Sequence, residues 1–290
     1  MTVHRLVTGH VSALLMLPEE VDTTAAQAAG RMLPGGWTLE EAEAAAGPAA
    51  VEISLGAAGV TADTRTVHVR LPGTVSAADT LAYITYTALE RVRQQQRKVT
   101  VHATALITPS GRAVLLLGAK GAGKTSTALT LAERGWTHAG DDLVVIGDSR
   151  DGPAVWPGKP TAAVRDFARP LAPKPQRALE PFSSGPVPLA WVVRMAVHPT
   201  LTTASLTDAA PLSVNEQLRL HENLGRYISG LPTPVSGVAG VPYGPVWPLD
   251  TPTLARWRSY LISRLTGCRF DYLYAPDHET AADLLTKETA

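Results

Sequence analysis

The sequence predicts an α/β fold: a mixed sheet organised around one glycine loop, with a small, mostly β region ahead of it. Three observations carry the prediction. Residues 111–125 read GRAVLLLGAKGAGKT. In them a short apolar run of buried-strand type, Ala113–Leu117, meets a glycine loop, and the helix-forming segment Thr125–Arg134 follows, stopped by Gly135. Val99–Ile107 is β-prone and joins the apolar run through the turn Thr108-Pro109-Ser110-Gly111. That pair reads as a hairpin, which makes the first core strands antiparallel and the sheet mixed.

In chain order, Val3–Leu17 holds strand-like pieces, and Val51–Leu55 and Val67–Leu71 alternate apolar and polar residues as short strands do. An alanine-rich stretch occupies 42–46. Residues 1–75 therefore read as a small α+β region, an edge sheet that covers the core. Ser76–Gln96 is a helix, capped by Ser76 with Asp79, with Leu81, Ile84, Ala88, Leu89 and Val92 on one face. Its polar end, Arg91, Arg93 and Gln94 to Arg97, reads as a solvated terminus. After the glycine loop, Trp136–Ala139 is a short strand ending at Gly140-Asp141-Asp142, and Leu143–Ile146 begins another. Residues 151–190, rich in Pro, Ala and Gly, read as extended loops, and 231–250 as a further loop. Leu189–Val197 and Phe270–Tyr274 are strands. Leu212–Tyr227, Pro252–Leu265 and Asp277–Thr286 are helices. Residues 76–290 make up the domain that carries the glycine loop.

Composition narrows the class. Of 290 residues, 45% are hydrophobic, enough for a sizeable core. Lys plus Arg equals Asp plus Glu at 26 each, so no global field argues for nucleic acid or an acidic membrane. The single cysteine, Cys268, excludes an intramolecular disulfide and reads as packed. No apolar run approaches the ~20 residues of a membrane span. The N-terminus shows no basic stretch followed by an apolar signal run, so the expected location is cytoplasmic.

The glycine loop fits G-x-x-x-x-G-K-[ST] through Gly118, Gly123, Lys124 and Thr125. Glycines at 118, 121 and 123 let the backbone approach an anion closely, and loop amides and the helix dipole then favour phosphate. The expected nucleotide-binding residues are Gly118, Ala119, Lys120, Gly121, Ala122, Gly123, Lys124, Thr125 and Ser126. Lys124 offers a mobile charge to the outer phosphates, and Thr125 a hydroxyl to Mg²⁺. Asp141 and Asp142 arrive after one helix and one strand, at the carboxyl end of a strand expected to lie adjacent to the loop strand and to end at the same sheet edge. One of them can hold Mg²⁺ and the other can take a proton from an attacking hydroxyl. Mutual repulsion raises the pKa of one member of such a pair. Thr125 and Asp142 are the candidate metal ligands; Lys124, Asp141, Asp142 and His102 are the candidate catalytic residues.

Residues 101–146, from VHATALITPSG to GDDLVVI, resemble the catalytic core of the HPr kinase/phosphorylase family. A histidine strand, a hairpin, a glycine loop, a helix ending in R-G and a D-D pair occur in that order. The same core is similar to that of phosphoenolpyruvate carboxykinase. WPGKP at 156–160, Lys174, Arg177 and the strand at 188–193 are weaker echoes of divergent relatives, some of which phosphorylate a serine on a peptide. The resemblance implies an HPr-kinase-type phosphate-loop fold and an ATP- and Mg²⁺-dependent kinase in which His102 assists at the transferred phosphate. It implies a serine or threonine acceptor on a peptide or protein, with a small-molecule alcohol next, and a homo-oligomer, as relatives often are. The family segment E-x-R-G-L-G-I is absent. Glu180 and Glu216 are candidates to replace its glutamate, and Arg165, Arg177, Arg219 and Arg226 to grip the phosphates. The rival reading is a nucleotide-binding regulatory module without transfer activity. Simple ATP binding has no need of two carboxylates at 141 and 142.

Overall fold

A computed structural model of the chain describes residues 1–21, 23–30, 33–43, 49–57, 59–71, 78–164, 175–228 and 249–289. Of the expectations above, Ser76, Arg165, Lys174 and most of the 231–250 loop lie outside them, as do the side chains of Leu81 and Ile84. The fold is mixed α/β. The chain divides into two compact units, Met1–Thr100 with Glu222–Ser259, and Val101–His221 with Tyr260–Ala290. Among the described residues no helix is long and apolar enough to cross a membrane.

The first unit carries a six-stranded sheet of β1 (Thr2–Val7), β2 (Ser12–Leu17), β3 (Thr38–Glu41), β4 (Val51–Leu55), β5 (Gly59–Ala62) and β6 (Val67–Leu71), ordered β3-β1-β2-β4-β6-β5. Alternation buries Leu6, Leu15, Leu17, Val51, Ile53 and Val69 while their neighbours stay partly exposed. Two helices, α1 (Thr23–Gly30) and α2 (Ala78–Gln95), pack on each other. The end of α2 differs from the solvated terminus expected. Arg91, Arg93 and Gln94 are buried: the wholly buried Glu90 draws in Arg93 and Gln94, while Arg91 Nη2 donates to the Asp63 carbonyl. The Glu90 carboxylate accepts from Arg93 Nη1 at 2.6 Å, Thr100 Oγ1 at 2.7 Å, the Thr100 amide at 2.9 Å and Gln94 Nε2 at 3.1 Å.

The expected strand 99–107 is broken into β7 (Lys98–Val101) and β8 (Thr104–Ile107) by a bend that holds His102. The hairpin holds: β8 pairs antiparallel with β9 (Ala113–Leu117), Thr104 opposite Leu116 and Ile107 opposite Ala113. After the loop, α3 (Lys124–Glu133) leads through Gly135, in the left-handed region at φ 89°, into β10 (Thr137–Gly140). β11 (Val144–Ser149) and β12 (Gly152–Trp156) form a second hairpin, and β13 (Thr161–Ala163) pairs with β14 (Gln176–Ala178). These strands replace part of the loop expected over 151–190. β15 (Val187–Val197), β16 (Ser205–Asp208), α4 (Val214–Gly225), α5 (Pro252–Leu265), β17 (Arg269–Ala275) and α6 (His278–Lys287) complete the chain.

The second unit's sheet runs β10-β8-β9-β15-β12-β11, with β17 on β15 and β16 on β17. β15 is parallel to both β9 and β17, whereas β8 is antiparallel to β9 and β10. Two reversals thus bring β10 back parallel to β9. Leu106, Val114, Leu116, Trp191, Val193 and Leu273 from the sheet pack under Ala128 and Leu131 of α3 and Ala281 and Leu285 of α6. That core is what fixes the start of α3 against the sheet edge.

Candidate active site

The site is assembled at one edge of this sheet. β9 ends there, β10 ends there, and β8 begins between them. The sequence expectation set the Asp pair on a strand adjacent to the loop strand. The structure corrects this: β8 intervenes, and only because it runs the other way do the ends of β9 and β10 share an edge. Thr104, the first residue of β8, is therefore placed between the loop and the Asp pair. Its hydroxyl donates to Asp141 Oδ1 at 2.5 Å.

The loop itself is shaped by close approach. A Cβ on Gly118 would lie 2.7 Å from the Met195 carbonyl oxygen, and one on Gly123 would lie 2.6 Å from the Val197 Cβ, so the end of β15 forms the loop's floor. Gly123 caps α3 in the left-handed region at φ 85° and supplies no side-chain acceptor, which leaves the first amides of the helix uncapped. Gly121 is also left-handed, φ 87°, with open space around it. Ala119, Lys120, Gly121 and Ser126 are exposed, Gly118, Ala122 and Gly123 half-buried. Lys124 is buried, and its Nζ donates to the carbonyls of Gly118 at 2.9 Å and Ala119 at 3.1 Å. Burial lowers its pKa, the charges of Asp141 and Asp142 act to raise it, and Arg194 adds to the lowering.

Thr125 donates to both Asp141 oxygens, at 3.0 and 3.1 Å. Thr125 and Asp142 are the metal ligands expected from the sequence; the hydrogen bonds of Thr125 go to Asp141. That carboxylate is 2% exposed. Burial raises its pKa most, the Thr104 bond opposes this, the charge of Asp142 adds to the rise, and Thr125 and Lys159 oppose it. Asp142 differs in every respect. Its backbone is left-handed at φ 63°, its side chain is 43% exposed, and Lys159 Nζ stands 3.8 Å from Oδ2. Lys159 is held there by backbone contact. The Gly158 amide donates to Ala139 O, the Lys159 amide to Leu143 O, and the Asp141 amide to Lys159 O. A Cβ on Gly158 would lie 2.4 Å from the Leu143 oxygen, and one on Gly140 2.9 Å from the Gly158 Cα. Of the WPGKP segment, then, Gly158 and Lys159 brace the Asp pair.

The donors fit Mg²⁺ with a nucleotide. A hydroxyl and one or two carboxylates are hard oxygen ligands, and Mg²⁺ at phosphate-transfer sites takes its other ligands from phosphates and water. Among the described residues no group of three His, Cys, Asp or Glu side chains could hold a metal unaided.

The remaining candidates fall elsewhere. His102 is half-buried in the bend two residues before Thr104. Arg177 and Glu180 line a cavity of about 370 Å³ with His138 and the second half of α3, Leu129, Ala132 and Glu133. Arg226 is exposed. Arg219 is largely solvated, 3.9 Å from Glu216. Glu216 is buried against Arg194, which sequence reasoning passed over. Thr104, Lys159 and Arg194 were the omissions. The only signal available for Arg194 was its place near the end of an apolar strand, where a charge is out of pattern. Cys268 is partly buried, and burial raises its thiol pKa, in keeping with a packed side chain.

No protein-family model and no curated protein matches this chain. Among solved structures it is similar to the Hpr(Ser) kinase/phosphatase from Coxiella burnetii, at 15% identity and a TM-score of 0.27, over 39% of this chain and 72% of that one. A likeness of that size decides neither fold nor activity.

Proposed function

We propose that this chain is an ATP-dependent phosphotransferase with a phosphate-loop core, moving the terminal phosphoryl group onto a hydroxyl of a peptide or protein serine or threonine. One observation carries the reading. Thr125, in the first turn of an uncapped helix behind a glycine loop, bonds both oxygens of a buried carboxylate delivered by a different strand. Packing alone gives no reason to bury Asp141 there, since a buried carboxylate is costly. The acceptor class rests on the resemblance of residues 101–146.

In this reading the amides of the loop and of the first turn of α3 hold phosphate oxygens. Lys124 exchanges its carbonyl partners for the outer phosphates. Thr125 and Asp141 hold Mg²⁺, which when bound neutralises phosphate charge. Asp142, partly exposed, accepts the proton of the attacking hydroxyl, and Lys159 holds that carboxylate in place. The resemblance of residues 101–146 gives His102 the role of assisting at the transferred phosphate. Positioning and charge neutralisation supply most of the rate, as they do in phosphoryl transfer generally.

The test is incubation with ATP and Mg²⁺ and a pool of serine and threonine peptides and small alcohols, followed by mass spectrometry. A product gaining one phosphoryl group is expected. It should be lost in Lys124→Ala and reduced by roughly 10²- to 10⁴-fold in Asp142→Asn, the range for a removed general base. Turnover retained in Lys124→Ala refutes the assignment.

A further inference from the structure

Arg194 stands on β15 opposite Leu117, the residue before the glycine loop. Its neighbours Val193 and Met195 point into the core beneath α3, so Arg194 faces the other surface of the sheet. There Glu216 of α4, buried to 1%, accepts from Arg194 Nε at 3.0 Å and from Nη2. Both bonds use one edge of the guanidinium. The Nη1 edge makes no hydrogen bond among the described residues, and the side chain keeps 18% exposure. Arg219, 64% exposed, lies 3.9 Å from the second oxygen of Glu216, beyond hydrogen-bond distance. The same strand floors the glycine loop, through the Met195 carbonyl against Gly118 and the Val197 side chain against Gly123. A guanidinium with an open edge on that strand is suited to meet an anion held by the loop amides.

We propose that Arg194 reads the terminal phosphate of the bound nucleotide through its open edge, with Glu216 as the residue that positions it. The site then favours a nucleoside triphosphate over a diphosphate. This rests on the nucleotide reading above. A guanidinium anchored on one edge presents the other as a fixed fork, which suits a phosphate in a way that a flexible ammonium does not.

The experiment compares the Mg²⁺ complexes of ADP and of a non-hydrolysable ATP analogue by calorimetry on the full chain, as wild type, Arg194→Lys and Glu216→Gln, with melting curves for each. Arg194→Lys should lose about 10- to 100-fold in triphosphate affinity, the equivalent of one charge-assisted contact, while ADP affinity changes by no more than about threefold. Glu216→Gln should shift the same selectivity in the same direction by less, since Arg194 stays but is no longer held; a structural role alone would not separate the two nucleotides. If Arg194→Lys fails to fold, Glu216→Gln carries the test. Equal losses for both nucleotides, or none, overturn the assignment while leaving the nucleotide reading intact. A wild type that binds neither overturns both.

Discussion

Replacing Thr104 by valine isolates one hydrogen bond of the site without needing the acceptor. Valine keeps the β-branched shape at a wholly buried position of β8 and removes only the hydroxyl that donates to Asp141 Oδ1 at 2.5 Å. A bond to a buried charged group contributes about 1.5–3 kcal/mol, and here its loss leaves a carboxylate that Thr125 alone supports among the threonines. The sign with pH follows from Asp141. Burial raises its folded pKa above 3.8, so between the two values the folded state binds more protons than the unfolded, and stability falls as pH rises through that window. The Thr104 bond opposes the rise, so removing it widens the window upward. The substitution should therefore cost about 1.5–3 kcal/mol at pH 8 and progressively less as Asp141 protonates on acidification. Urea unfolding at pH 8 and at an acidic pH where the native state persists measures this, with both variants followed by the same probe. A cost that is the same at both pH values, or absent at pH 8, would refute the claim that Thr104 stabilises an ionised Asp141.

Two further perturbations test the frame of the site. Gly123→Ala and Gly121→Ala both force alanine into the left-handed region, at about 1–2 kcal/mol. Only at 123 does the new Cβ also meet Val197, at 2.6 Å, so the Gly123 variant should lose about 1–3 kcal/mol more in unfolding experiments; equal losses would show that β15 does not floor the loop. His138 is buried, its Nδ1 has no hydrogen-bond partner among the described residues, and burial, with the charge of Arg177, lowers its pKa from 6.5 to about 4. The unfolded state binds the proton first, so stability present above pH 6.5 should be lost as pH falls towards 4, on the order of 3 kcal/mol from this residue. His138→Leu should flatten that part of the stability curve, and an unchanged slope would exclude His138 as its source.

How much was readable in the chain follows the range of the interactions. The β9–loop–α3 segment was legible because each part is local: an apolar run, glycines at the turn, a helix stopped by Gly135. The observed α3, Lys124–Glu133, is displaced by one residue from the expected helix, and α5 falls on the expected residues 252–265. Short edge strands were not legible. β5 has four residues with no buried member, and α1 has neither an acidic first turn nor a basic last turn to announce it. β12 was hidden by Gly152 and Pro153, which open the strand and suggested a loop. The buried end of α2 was misjudged because its charges are partnered by Thr100, which the helix pattern cannot indicate. In the site, Lys124, Thr125 and the Asp pair were named from spacing. Thr104, Lys159 and Arg194 were not, since their places depend on the order β10-β8-β9, on the Gly140–Gly158 contact and on the parallel β15.

The Asp pair shows most plainly what the fold adds to the residues. As a dipeptide, Asp141-Asp142 is symmetric, and nothing in the sequence says which carboxylate does what. The backbone breaks the symmetry. β10 ends at Gly140, packed on Gly158, and sends Asp141 inward between the hydroxyls of Thr104 and Thr125. The next residue turns into the left-handed region at φ 63°, a conformation that costs a non-glycine residue energy, though aspartate tolerates it better than most. That turn sends Asp142 outward towards Lys159 and solvent. Two chemically identical groups thus acquire opposite environments, one dry and pushed towards protonation, the other wet and beside an ammonium. Environments that differ in this way are what separate the roles of paired carboxylates. The buried member, fixed by two hydroxyls, is suited to hold a metal without moving. The exposed member is suited to meet a substrate hydroxyl. The division of labour proposed for them follows from a single backbone reversal between consecutive residues.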